Sequence, residues 1–108
     1  MPGYVIGQLN EIKNAEAFAA YQGAAGPTVR QYGGKLVFNS MKVDAGDGDW
    51  SPAGMVILEF ESVEQARKWY NSPEYQAVIG QRLNSADSAV IIVDGDQDPS
   101  AGPQALQI

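Results

Sequence analysis

Apolar residues recur along this chain first at strand spacing and then at helical spacing. Tyr4 to Leu9 is a short run rich in β-formers, set between Pro2-Gly3 and polar Asn10, and reads as a strand. Asn14 can then cap a helix in which Phe18, Tyr21, Ala25, Val29 and Tyr32 fall at intervals of three and four, giving one apolar face. Gly26-Pro27 interrupts this pattern, predicting a kink or two short helices, and Gly33-Gly34 supplies the left-handed conformations that end it. Lys35 to Val43 reads as a second strand, Asp44 to Gly54 as a loop with Trp50 at its centre, and Met55 to Glu61 as a third strand. Ser62 and Gln65 have capping-box spacing ahead of Val63, Ala66 and Tyr70 on one helical face. Ser72-Pro73 restarts the chain as an N-cap followed by proline, so a separate short helix is expected from Glu74 to about Leu83. Ser88 to Asp94 is the fourth strand, and residues 96–108 read as a flexible polar tail, with Leu106 and Ile108 available to dock on a partner.

The order β, α, β, β, α, β is that of a ferredoxin-like α+β domain with a four-stranded antiparallel sheet, assigned to residues 1–95. Right-handed crossovers put both helical segments on one face of the sheet. Yet Met55-Val56-Ile57-Leu58 and Val90-Ile91-Ile92-Val93 are apolar at consecutive positions, so both faces call for cover. A second copy packed sheet to sheet, a homodimeric α+β barrel, is the simplest cover. The tail folded back is the weaker alternative, having few large apolar residues.

Composition removes several chemistries. The 108 residues include no cysteine and no histidine, which excludes thiolate and histidine-dependent catalysis, disulfides, zinc sites and histidine-ligated haem as contributions of this chain. Seven Lys and Arg against thirteen Asp and Glu leave a net charge of −6. Scattered cations among more numerous acids predict no nucleic-acid partner and no attraction to anionic membranes. The opening MPGYVIGQLNEIK has no basic start followed by a long apolar run, so a soluble cytoplasmic protein is expected. Asp94, Asp96 and Asp98 match the start of a calcium loop, but Pro99 and Ala105 occupy positions that need glycine and glutamate, while Asp44, Asp47 and Asp49 have no such register; no metal is expected. Pro2 would expose a secondary amine on loss of Met1, as in tautomerases, although proline before a strand is commonplace.

The motifs Tyr32-Gly33-Gly34-Lys35, Gly48-Asp49-Trp50 with Pro52, Leu58-Glu59-Phe60 and Trp69-Tyr70-Asn71-Ser72-Pro73-Glu74-Tyr75-Gln76 resemble domain of unknown function family 1330 over about Tyr4 to Gly95. The resemblance implies a ferredoxin-like fold of the dimeric α+β barrel superfamily and implies no particular activity. Ala53-Gly54 departs from the bulkier or basic residues of the family pattern at the entrance to the third strand. Related barrels include cofactor-free oxygenases, lactone isomerases and haem enzymes, and the resemblance favours small hydrophobic metabolites as ligands.

Strand alternation puts Glu59 opposite Val56, Leu58 and Phe60; if those pack on the helices, Glu59 points into the barrel, partly desolvated and suited to acid or base work. A structural ion pair, perhaps with Arg82, is the plainer alternative for Glu59. Arg82 can anchor a carboxylate or enolate, or close its short helix electrostatically. Tyr32, Tyr70 and Tyr75 offer rings for an apolar pocket and hydroxyls for orientation, with Tyr70 equally a core position. Gln8 and Asn39 can hydrogen-bond a ligand, and Trp50 can act as a lid or simply anchor its loop. The expectation is a metal-free, cofactor-free homodimeric enzyme that isomerises, cyclises or oxygenates an activated carbonyl or phenolic compound. The alternatives are a non-catalytic ligand-binding or stress-associated dimer, or an assembly module without ligand.

Overall fold

The computed structural model describes residues 1–95. It contains β1 (Gly3–Ile12), α1 (Ala15–Gln31), β2 (Lys35–Ser40), β3 (Gly54–Phe60), α2 (Val63–Tyr70), α3 (Pro73–Gln76), α4 (Ile79–Ser85) and β4 (Ala86–Asp94). The strands form one antiparallel sheet in the order β2-β3-β1-β4, with the helices on one face, as the ferredoxin-like reading requires. The tail and most of the Asp94–Asp98 run lie outside the described residues. Among the described residues no cluster of acids is placed to hold a metal ion, and no helix is long and apolar enough to cross a membrane.

The local signals hold where they concern caps. The Asn14 side chain accepts from the Ala17 N–H at 3.0 Å, and Ser62 Oγ accepts from the Gln65 N–H at 3.0 Å. The second half of that capping box is diverted, because Gln65 Nε2 donates to the Tyr32 carbonyl at 2.9 Å and ties α2 to the end of α1. Ser72 Oγ accepts from the Tyr75 N–H and donates to the Trp69 carbonyl, joining α2 to α3. Gly33 turns the chain out of α1 at φ 79°. Gly34 follows because a Cβ there would come within 2.5 Å of the Phe60 ring.

Other expectations are corrected. Pro27 does not divide α1, which runs through it. Proline removes the bond to the Gly23 carbonyl, but Gly23 and Pro27 are both exposed, so water can satisfy that carbonyl. The stretch expected as one helix from Glu74 is two, α3 and α4. Val78 N–H reaches back to the Tyr75 carbonyl and Gln81 N–H to the Val78 carbonyl, a tighter three-residue spacing that breaks the α-helical ladder. β1 extends to Ile12, with a register shift between Leu9 and Glu11, whereas β2 stops at Ser40.

The core lies between the helices and the sheet. Val5, Phe60, Ala66, Trp69 and Tyr75 are buried there, with Phe60 stacked on Trp69 at 5.5 Å between ring centres. Trp69 Nε1 donates to Thr28 Oγ1 at 2.9 Å, and Thr28 in turn donates to the Ala25 carbonyl, so the buried indole is satisfied by α1. The opposite face of the sheet carries Tyr4, Ile6, Ile57 and Ile91, and no described element covers it. Ile91 is 56% exposed there, in line with the two-sided apolar pattern of the strands.

Candidate functional site

Helix α1 packs laterally on α4, and between its inner face and the strands lies a cleft of about 250 Å³. Its walls are apolar: Leu9, Val29, Val56, Leu58 and Val90 among others. Gly7 contributes to the floor, and a Cβ there would meet nothing closer than Val56 at 3.8 Å, so the missing side chain adds open space. The mouth is marked by the exposed residues Gln22, Arg30, Leu36 and Asn39.

The inner end is polar. Tyr75 is 1% exposed and its hydroxyl lies 2.8 Å from that of Tyr21. Arg82, 6% exposed, donates from Nε to the Tyr75 hydroxyl at 3.3 Å and from Nη1 to Ser88 Oγ at 2.7 Å. Burial, and after it the Tyr75 oxygen, raise the Tyr21 pKa far above the ordinary tyrosine range, so Tyr21 remains a protonated hydroxyl. Burial opposes the charge of Arg82, but the adjacent tyrosine oxygens, Tyr75 foremost, outweigh it and the guanidinium pKa rises. Among the described residues no carboxylate pairs with this cation, and none lines the cleft. Two arginines, Arg30 and Arg82, line it; Lys35 borders it as well, but its ammonium lies across the sheet against Glu59.

Of the residues singled out from sequence, the cleft brings together Arg82, Tyr75 and Asn39. Glu59 is not among them. It lies across the sheet on the uncovered face, where Lys35 Nζ is 3.2 Å from Oε1 and the Tyr4 hydroxyl donates to Oε2 at 3.3 Å. Its ion-pair partner is thus Lys35 and not Arg82, because β2 pairs Lys35 with Glu59. The expected constellation of Glu59 with Arg82 is not assembled within the chain. Gln8 and Trp50 also belong to the uncovered face: Trp50 Nε1 donates to Gln8 Oε1 at 2.9 Å, and Gln8 Nε2 donates to Asn10 Oδ1. Trp50 therefore anchors its loop to that face and does not close over the cleft.

Tyr32 and Tyr70 stand in the helical layer outside the cleft. The Tyr32 hydroxyl donates to Glu74 Oε1 at 2.8 Å, and Tyr70 packs against Trp69 and Tyr75. Pro2 holds the Gly95 N–H with its carbonyl at 2.8 Å, away from the cleft. Tyr21 is the site residue that sequence reasoning counted only as a helix-face position; its alignment with Tyr75 across 54 residues has no local signal.

The topology and the one-sided helical layer define a ferredoxin-like α+β protein with an apolar cleft under its first helix. The family model for the domain of unknown function DUF1330 matches residues 2–96, and the chain belongs to that family. Among solved structures it is similar to a protein of unknown function from Rhodopseudomonas palustris, at 24% identity and TM-score 0.68, covering 90% of this chain and 84% of that one. It is also similar in fold to SnoaB, a cofactor-independent oxygenase from Streptomyces nogalater, at 10% identity and TM-score 0.64, covering 90% and 95% of the two chains. A dimeric ferredoxin-like protein of unknown function from Thermobifida fusca shares the fold at 11% identity and TM-score 0.58, with 87% and 91% covered. No curated protein matches the sequence.

Proposed function

We propose that the protein takes up a small apolar acid as its anion, a carboxylate, phenolate or enolate, with the charged oxygen at Arg82 and the hydrocarbon among the cleft walls. The observation that carries this reading is a buried guanidinium, unanswered by any described carboxylate, at the closed end of an apolar cleft. A cation taken from water needs an opposite charge, and a ligand anion supplies it. Tyr21 and Tyr75 would donate hydrogen bonds to the same oxygen. Holding an enolate or phenolate is the step that cofactor-independent isomerisation, cyclisation and oxygenation of activated carbonyl or phenolic compounds share. The fold of SnoaB supports oxygenation among these by analogy. A homodimer would cover the sheet face bearing Ile57 and Ile91, and a neighbour in fold is described as dimeric.

A second reading, binding without turnover, is favoured by one feature: among the described residues no Asp or Glu lines the cleft to remove a proton from carbon. The test is calorimetric titration of the protein with 1-naphthoate and with the neutral 1-naphthamide. Binding of the acid, absent for the amide and lost in Arg82→Met, supports the proposal; equal binding of both overturns it. Incubation with 1-naphthol in air, followed by mass spectrometry, separates an oxygenase from a binding protein.

A further inference from the structure

A second cavity of about 220 Å³ lies under the first turns of α1 and shares Leu9, Phe18, Gln22, Asn39 and Val56 with the cleft. The shared walls make the two spaces neighbours along one floor. Arg82 and Tyr75 line only the first, while Ile12, Ala15, Met41 and Met55 line only the second. The guanidinium and the phenol hydroxyls are therefore confined to one space, while the other is bounded mainly by aliphatic groups and the Met41 thioether, with Gln22, Asn39 and Ser40 also in its lining. Met41 lies against Gly54, where a Cβ would collide with its sulfur, so the glycine lets that side chain form a wall. Flexible thioethers adapt to hydrocarbon of variable shape.

We infer that the ligand is an amphiphilic carboxylate whose acid group sits at Arg82 and whose unbranched apolar tail passes Phe18 and Leu9 into the cavity bounded by Ala15 and Met41. This rests on the reading of Arg82 as the anion site and adds the shape and length of the molecule bound. A ligand filling the first cleft alone would leave an apolar space beside it unfilled, whereas each methylene placed there removes hydrocarbon from water.

The experiment is titration of the full chain with straight-chain alkanoates from hexanoate to tetradecanoate. Affinity is expected to rise about fourfold per added methylene and then level off where the second cavity ends. Ala15→Phe, at an exposed position that tolerates substitution, should move that plateau to shorter chains, and Met41→Ala should move it to longer ones. Affinity independent of chain length, or a plateau that neither substitution moves, overturns the inference. If 1-naphthoate still binds in an Arg82-dependent manner in that case, the anion site stands and only the tail site falls. Alkanoate binding that survives Arg82→Met removes both.

Discussion

Arg82 and Tyr75 meet at 3.3 Å, guanidinium nitrogen to phenol oxygen, with the Tyr21 hydroxyl a further 2.8 Å beyond Tyr75. The three side chains come from α1, α3 and α4, and each of them is hydrogen-bonded with no acid among the described residues entering the arrangement. A core that spends a cation in this way gives up stability for a charge it can offer to something else.

The Arg82→Met variant tests that statement. Tyr75 retains Tyr21, half-buried Ser88 can turn to water, and the desolvation of the guanidinium is relieved. Urea denaturation should show stability unchanged or raised by about 1 kcal/mol or more, together with loss of 1-naphthoate binding. A fall of about 2 kcal/mol or more would make Arg82 a structural residue.

Glu59→Gln removes the pair with Lys35, whose side chain is 74% exposed. Exposed pairs contribute about 0–1 kcal/mol, so the melting midpoint should barely move and calorimetry should give the same affinity for 1-naphthoate. Loss of binding would tie the uncovered face to the cleft.

Thr28→Val should be costly for so small a change. It keeps the shape but strips Trp69 Nε1 of its buried acceptor, at a cost of about 1–3 kcal/mol in chemical denaturation. Thr28→Ser, which restores the oxygen, should recover most of it.

Glu74 carries the pH-sensitive contact among the helices. The hydrogen bond from Tyr32 lowers its pKa below the ordinary glutamate value of 4.5. A depressed carboxylate contributes stability above that ordinary value and loses it as pH falls through the folded-state pKa. Tyr32→Phe should raise the Glu74 pKa toward 4.5 in a carbon-detected NMR titration.

Much of this molecule was legible because its signals are local. Asn14, Ser62, Ser72 and Gly33 act within a turn of their own positions, and alternation along β3 correctly separated Glu59 from Leu58 and Phe60. The partner of Glu59 was not legible. It depends on the register of β2, which shifts between Leu36 and Phe38 so that Lys35 and Phe38 both fall on the uncovered face. The cleft was equally hidden, since nothing in the spacing of Phe18, Tyr21, Ala25 and Val29 says that the helix bearing them leaves a gap above the sheet. Tyr21 looked like packing because its partner is far along the chain, and the choice between lid and loop anchor for Trp50 stayed open because loop composition does not say which face a loop crosses.

The bare floor at Gly7 sets ligand and protein in competition for the same room. A valine or isoleucine there would suit the strand, find no obstruction nearer than 3.8 Å at its first carbon, and fill volume that now goes unpacked. Variants selected only for heat resistance should therefore gather bulk at Gly7 and Ala25, growing sturdier as they lose the capacity to host a guest.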